Sequence, residues 1–152
     1  NNILILSDLD SQTSDTMLTL LNYSSDLLHS FTLTLKPHPA NAIDVKKYSK
    51  LNLSLTDKPL SDLLPHYSLV ISSIYTTASL EAYLIGIPII TILDNNFNTS
   101  PLRDVKNVNF ISTFSHLETA LINFKLTHIN KKDDFFFSTD KDLQLWQKLL
   151  NV

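Results

Sequence analysis

The sequence has 152 residues, of which 43% are hydrophobic and 18% are charged, and this composition predicts one soluble globular domain. A formal net charge of −3 argues against a protein that binds nucleic acid through electrostatic attraction. The chain contains no cysteine, which excludes disulfides and thiolate metal sites, and no apolar run approaches the ~20 residues that span a membrane.

The first half of the chain alternates short apolar runs with polar, helix-forming segments. The apolar runs predict strands at residues 1–6, 31–35 and 51–55. Helices are predicted at residues 15–21, 44–48 and 59–64. Ser14 or Asp15 is the expected N-cap of the first helix, because hydroxyl and carboxylate side chains accept hydrogen bonds from free helix N–H groups.

Residues 68–93 predict a strand, a turn, a helix and a second strand. Residues 69–71 are apolar and predict a buried strand, and hydroxyl side chains follow at once: Ser72, Ser73, Thr76 and Thr77. The helix is expected to run to residue 85 and to close at Gly86, the only glycine of the chain, before a strand at residues 87–93. Such a parallel crossover unit suits a phosphate or nucleotide at its strand ends and helix N-terminus.

The last third predicts a strand at residues 108–111, a helix at 114–124 and a final helix capped by Thr139 or Asp140. Six strands alternating with helices predict an α/β, Rossmann-like fold with a doubly wound, mainly parallel sheet. In the strand order 3-2-1-4-5-6, the ends of strands 1 and 4 flank the point where the winding reverses. Ligands bind at that point in doubly wound sheets, and it would bring Asp8, Ser72 and Ser73 together.

His38 lies between two prolines directly after the second predicted strand. Each proline holds the residue before it extended and removes a backbone donor, so the loop is stiff and aims the imidazole. A histidine that donates to a phosphate or to a leaving oxygen needs such positioning. The alternative is an ordinary turn with His38 on the surface.

The four hydroxyl residues at 72, 73, 76 and 77 exceed what one helix cap requires. We therefore expect at least one serine and one threonine to contact a ligand, the alternative being that they only cap the helix. Glu81 lies one helical turn after Thr77, where its carboxylate could accept both hydroxyls of a ribose. The alternative for Glu81 is a solvent-facing position.

Asp8 and Asp10 follow the first strand and form an acidic pair that could hold Mg²⁺. An apolar strand followed by Asp-x-Asp resembles the phosphatases of the haloacid dehalogenase type. Those enzymes also need a lysine and a further acidic pair at strand ends, and residues 131–134 have that composition but follow no predicted strand. Loop or cap positions are the other interpretation of the pair.

The remaining candidate residues do not form a recognisable site. The other histidines show no metal-ligand spacing: His29, His66, His116 and His128. A single glycine allows neither a Gly-x-Gly-x-x-Gly fingerprint nor a P-loop. The three phenylalanines at 135–137 and Trp146 are interpreted as core or interface.

Three motifs together resemble the C-terminal, donor-binding half of GT-B glycosyltransferases: Lys36-Pro37-His38-Pro39, Ser72-Ser73, and the run from Thr76 to Pro88. The likeness is to bacterial sialyltransferases, polysialyltransferases and related capsule or surface-polysaccharide enzymes, in which a His-Pro and a Ser-Ser motif bind the nucleotide of a CMP-activated sugar. The resemblance implies that His38 contacts the donor phosphate and stabilises the leaving group, and that Ser72 and Ser73 bind phosphate. Thr76, Thr77 and Glu81, the last toward the ribose, follow the broader GT-B pattern.

The resemblance further implies that residues 1–152 are one nucleotide-sugar-binding domain, one half of a GT-B fold, cut from a longer two-domain protein. That protein would be an inverting, metal-independent, cytoplasmic glycosyltransferase of surface polysaccharide, capsule or O-antigen synthesis, at most peripherally bound to the inner face of the membrane. We expect no cofactor, metal or nucleic acid, only a nucleotide-sugar donor and a carbohydrate acceptor. The acceptor site and the general base are expected in an N-terminal domain, so the isolated domain should be inactive.

Three alternatives stay open at this point. The same Ser/Thr–Glu–Gly-Pro pattern occurs with UDP-linked donors and in glycerophosphotransferases, so the pattern does not fix the nucleobase of the donor. A Mg²⁺-dependent phosphatase would use Asp8 and Asp10. A non-catalytic Rossmann-like interaction domain would use its hydroxyls only as helix caps and would keep the crevice at Ser72 and His38 closed.

Overall fold

The computed structural model describes residues 2–94, 98–105, 108–126 and 144–150. Six strands of the described residues form one sheet: β1 (Asn2–Leu6), β2 (Thr32–Lys36), β3 (Leu53–Leu55), β4 (Leu69–Ser73), β5 (Ile89–Ile92) and β6 (Asn109–Ile111). Its order is β3-β2-β1-β4-β5-β6, and all of the pairings between these strands are parallel. The predicted Rossmann-like α/β fold is therefore confirmed, and the strand order is the one assumed in the sequence analysis.

Helices connect the strands: α1 (Ser11–Tyr23), α2 (Ser25–Leu28), α3 (Leu60–Leu63), α4 (Ala78–Leu84), α5 (Phe114–Leu126) and α6 (Gln144–Leu150). Two short 3₁₀ helices, Val45–Tyr48 and Leu64–His66, lie before β3 and β4. The helix predicted at residues 44–48 is the first of these. None of the helices within the described residues combines the length and apolarity that crossing a membrane requires.

The strands are apolar throughout because helices cover both faces of the sheet. Side chains of β1 alternate between the two cores: Ile3 and Ile5 pack with residues of α1, α2 and α5, whereas Leu4 and Leu6 pack with residues of α3 and α4. Helix α1 follows β1 and helix α4 follows β4, and these two helices lie on opposite faces. The ends of β1 and β4 therefore flank the point where the winding reverses.

Helix α1 begins four residues earlier than predicted, and the prediction of Ser14 or Asp15 as its N-cap is wrong. Asp10 is the N-cap, because its Oδ1 accepts a hydrogen bond of 2.8 Å from the backbone N–H of Gln12. Ser14 is buried within the helix, and the Asp15 carboxylate accepts hydrogen bonds from Lys47 and Tyr48 instead.

The end of α4 agrees with the sequence prediction. Gly86 has a φ of 82°, and its N–H donates to Tyr83 O at 2.9 Å, while the N–H of Ile87 donates to Ala82 O at 3.0 Å. This pair of bonds is a Schellman motif, in which a left-handed residue closes the helix and satisfies its last carbonyls. Glycine adopts that conformation without a steric penalty, which explains its position here.

The predictions for the C-terminal region concern residues of which the structure describes only a part. The expected caps Thr139 and Asp140, the phenylalanines at 135–137 and the Trp146 side chain lie outside the described residues. In α6, Leu149 and Leu150 are exposed.

Candidate functional site

A cavity of about 400 Å³ opens at the carboxyl edge of the sheet, beside the ends of β1 and β4. Three loops supply its lining: the loops that follow β1, β2 and β4. The lining residues are Asp8, Leu9, Asp10, His38, Tyr75, Thr76 and Thr77. The predicted site residues His38, Thr76 and Thr77 are thus brought together at the reversal point of the winding.

His38 is held by three hydrogen bonds, one to the loop after β1 and two within its own loop. Its backbone N–H donates to Ser7 Oγ at 3.0 Å, and its carbonyl accepts from the N–H of Asn41 at 2.9 Å. Its Nδ1 accepts from the N–H of Ala40 at 3.2 Å, so the neutral ring carries its proton on Nε2. Nε2 has no partner among the described residues, and the imidazole lines the cavity as a hydrogen-bond donor.

Asp8 is buried beneath the cavity and joins the three loops. Its Oδ1 accepts from Thr13 Oγ1 at 2.7 Å and from Ser14 Oγ at 3.4 Å, and its Oδ2 accepts from the N–H of Tyr75 at 3.4 Å. Its backbone carbonyl accepts from Asn41 Nδ2 at 2.9 Å. These bonds connect the loop after β1 to helix α1, to the loop after β2 and to the loop after β4.

Thr76 and Thr77 occupy the loop that leads into α4. Thr76 is nearly buried: its Oγ1 accepts from the N–H of Ala78 at 3.3 Å, and its carbonyl accepts from Ser79 Oγ at 2.9 Å. Thr77 is exposed at the N-cap position, where its side chain makes no capping hydrogen bond. The Thr77 hydroxyl is therefore open to the cavity.

The two serines lie in a different place from the one the sequence predicts. Ser72 and Ser73 are the last residues of β4 rather than part of a turn, and they are 0% and 1% exposed. Ser72 Oγ lies 3.1 Å from Thr91 Oγ1, and Ser73 Oγ donates to Leu6 O at 3.5 Å. Neither serine lines the cavity, so their contact with a ligand stays a prediction.

Glu81 is exposed on α4 and does not line the cavity either. Its predicted contact with a ribose also stays a prediction. Within the described residues, no three histidine, aspartate or glutamate side chains are grouped so that they could hold a metal ion.

A second cleft, of about 410 Å³, lies between α1 and the first 3₁₀ helix. Asp15 lines it and accepts hydrogen bonds from Lys47 and Tyr48, which lower the pKa of the Asp15 carboxyl. Burial, and then the hydrogen bond to Asp15, raise the pKa of the Tyr48 phenol. Asp15 and Lys47 thus form an ion pair that connects α1 to the first 3₁₀ helix.

Sequence reasoning missed four residues of the site: Ser7, Leu9, Asn41 and Tyr75. Ser7 and Asn41 support the His38 loop, and Leu9 and Tyr75 line the cavity. Ser7 and Leu9 could have been found, because they flank Asp8 directly after a predicted strand. Asn41 and Tyr75 carry no such signal, since their contacts depend on the packing of separate loops.

Comparison with known proteins adds evidence on the fold. No protein-family model matches the sequence, and no curated protein matches it either. Among solved structures, four chains match. One is a crystal structure of the glycotransferase of kitacinnamycin, with a TM-score of 0.51 and 15% sequence identity. The match covers 80% of this chain, and this chain spans only 34% of that one. At this identity the likeness shows a shared α/β fold.

Proposed function

We propose that this chain is the nucleotide-sugar-binding domain of a glycosyltransferase. One observation carries the proposal: the cavity at the reversal point holds an imidazole whose Nε2–H is available, together with the threonine hydroxyls of the next loop. Doubly wound sheets bind their ligands at this position. The fold of the kitacinnamycin glycotransferase supports the proposal, and so does the His-Pro motif of the sequence.

In this proposal His38 stabilises the leaving group. When the bond between the anomeric carbon and the phosphate oxygen of the donor breaks, its electron pair stays on the phosphate, where negative charge grows. A hydrogen bond from Nε2–H to that phosphate strengthens as the charge develops, which lowers the barrier. Thr77, and Thr76 after a rotation of its hydroxyl, donate to the remaining phosphate oxygens.

The charge of the cavity favours a CMP-linked donor. Among the residues that the structure describes, the lining contains two carboxyl groups, Asp8 and Asp10, and no lysine or arginine side chain. A CMP-linked donor has one phosphate group and a UDP-linked donor has two, so the first places less phosphate charge beside these acids. Neutral hydrogen-bond donors are enough to hold a single phosphate charge, and we propose a metal-independent reaction on that ground.

The finer features of the reaction follow the same family resemblance. We propose an inverting transfer in surface-polysaccharide synthesis at the cytoplasmic side of the membrane. The acceptor and its general base belong to a second domain across the cleft. The domain alone then binds nucleotide but transfers no sugar.

A two-dimensional NMR titration with CMP, CDP, UMP and UDP tests the proposal. Shifts are expected at residues 36–41 and 74–78, strongest with CMP and lost in His38→Ala. His66→Ala is the control, because His66 is an exposed histidine that precedes β4 at the opposite edge of the sheet, whereas His38 is half-buried at the cavity. If no nucleotide shifts these residues, or if both histidine variants behave alike, the proposal is wrong.

The geometry does not favour the phosphatase alternative. The Asp8 carboxyl already accepts hydrogen bonds from Thr13, Ser14 and Tyr75. The Asp10 carboxyl caps α1, so both carboxyl groups are already used in structural hydrogen bonds. The phosphatase alternative would be supported if the protein released phosphate from a generic ester and if Asp8→Asn abolished that release. The open cavity likewise gives no support to an interaction domain with a closed crevice.

A further inference from the structure

Two large apolar side chains stand in the wall of the cavity and are exposed to solvent. Leu9, in the loop after β1, is 64% exposed, and Tyr75, in the loop after β4, is 51% exposed. Both line the same cavity as His38. Exposed apolar side chains that border a pocket are characteristic of a ligand-binding surface, because a bound ring removes them from water.

The two side chains stand on a fixed support. The N–H of Tyr75 donates to Oδ2 of Asp8, the residue directly before Leu9, at 3.4 Å. Asp8 is 2% exposed, and the neighbours of Tyr75, Ile74 and Thr76, are also buried. Tyr75 therefore lies between two buried residues, and Leu9 lies between the buried Asp8 and the exposed Asp10, whose carboxylate caps α1. These contacts hold the backbone of both residues in place before any ligand arrives.

We infer that Leu9 and Tyr75 form an apolar clamp that binds the nucleobase of the donor. The inference rests on the proposed function and assigns to these two residues the recognition of the base. A nucleotide has one polar end and one flat heteroaromatic ring, and this cavity has a matching division. His38 and Thr77 present N–H and O–H donors for the phosphate, whereas Leu9 and Tyr75 present the apolar and aromatic surface on which a base stacks.

Tyr75 lines the cavity, whereas Tyr23, another exposed tyrosine of the described residues, does not. Tyr23 is 74% exposed at the end of α1, and it lines neither the 400 Å³ cavity nor the cleft beside α1. Exposure alone therefore does not single out Tyr75. Its position beside His38 does.

The test compares a probe that has a base with one that lacks it. CMP and ribose 5-phosphate are titrated by NMR into the wild type, Tyr75→Ala, Tyr75→Phe, Leu9→Ala and the control Tyr23→Ala. Loss of one aromatic–base stack is expected to weaken CMP binding by roughly tenfold in Tyr75→Ala. Ribose 5-phosphate binding should be unchanged in that variant, and Tyr75→Phe should recover most of the lost CMP affinity because it keeps the ring.

Each other outcome overturns the inference in a distinguishable way. Equal weakening of both probes in Tyr75→Ala would mean that Tyr75 acts on the sugar phosphate or on the loop, not on the base. Unchanged CMP affinity in both Tyr75→Ala and Leu9→Ala would remove the clamp while leaving the donor site intact, provided that CMP still shifts the His38 region. Failure of CMP to shift that region in the wild type would refute the proposed function, and the clamp with it.

Discussion

Replacing Asp8 by alanine tests the contacts that hold the three loops of the cavity together. The bond of 2.7 Å from Thr13 Oγ1 is buried and joins a hydroxyl to a carboxylate, a type that contributes about 1.5–3 kcal/mol. The two bonds of 3.4 Å, from Ser14 and Tyr75, are long and contribute less.

The loss is limited because two of the three donors have second acceptors. Thr13 Oγ1 also donates to Asp10 O at 3.1 Å, and Ser14 Oγ donates to the Asp8 carbonyl at 3.4 Å. The N–H of Tyr75 loses its acceptor. We therefore expect Asp8→Ala to lower the free energy of unfolding by about 2–3 kcal/mol, or the melting temperature by roughly 5–10 °C for a domain of this size.

Urea unfolding followed by far-UV circular dichroism measures this difference. Asp8→Asn should cost only about 1 kcal/mol, because its Oδ1 can accept from Tyr75 while the hydroxyl of Thr13 turns to accept from the amide. Asp57→Ala, an exposed aspartate, is the control and should change stability by less than about 0.5 kcal/mol. If Asp8→Ala is as stable as Asp57→Ala, the carboxylate does not hold the loops.

Three further predictions concern other parts of the fold. The hydrogen bond from Lys47 lowers the pKa of Asp15 below its ordinary 3.8, so the stabilisation is present above that value and is lost as the pH falls through the lowered pKa. Since Asp15 is partly exposed, the stability difference between wild type and Asp15→Asn should be below about 1 kcal/mol at neutral pH and should shrink as the pH is lowered below 3.8 in urea titrations; a difference that grows on acidification would contradict this. Gly86→Ala should destabilise by about 1 kcal/mol, through its φ of 82° alone, because an added Cβ meets no atom within 4 Å; an unchanged urea midpoint would count against the strain. Ser72→Ala should cost about 1–3 kcal/mol by leaving the buried hydroxyl of Thr91 unpaired, and Ser72→Ala with Thr91→Val should recover most of it; loss of CMP binding in the stable double variant would instead assign the serine to the ligand.

The sequence predicts the architecture better than it predicts the lining of the cavity. Buried strands are recognisable because helices on both faces make them apolar without interruption, and their alternation with helices predicts a doubly wound sheet, whereas the order of its strands is an assumption at that point. His38 was recognisable because its prolines stiffen the loop locally. The sequence predicts that the two serines lie in a turn, because hydroxyl residues favour turns, but they end β4 and their hydroxyls bond to Thr91 and Leu6 inside the sheet.

Other features depend on contacts that no local pattern contains. Helix α1 begins before its predicted start because the carboxylate of Asp10 accepts a hydrogen bond from the N–H of Gln12 and caps the helix there. Tyr75 carries no sequence signal of its own, because its place in the cavity lining depends on tertiary packing, which includes the hydrogen bond from its N–H to Asp8. Exposed apolar residues such as Leu9 are common on protein surfaces, so only the neighbouring residues of the fold can indicate a binding site.

The position of β1 in the sheet has a consequence for folding on the ribosome. Ile3 pairs with Leu33 on one side and with Leu69 on the other. One edge of this apolar strand therefore stays open until residues 69–73 have left the exit tunnel. An open apolar edge is a template for pairing with other chains, so the nascent N-terminal half should need protection from aggregation until β4 inserts. Insertion of β4 is then the step that commits the domain to its native sheet and forms both sides of the cavity together.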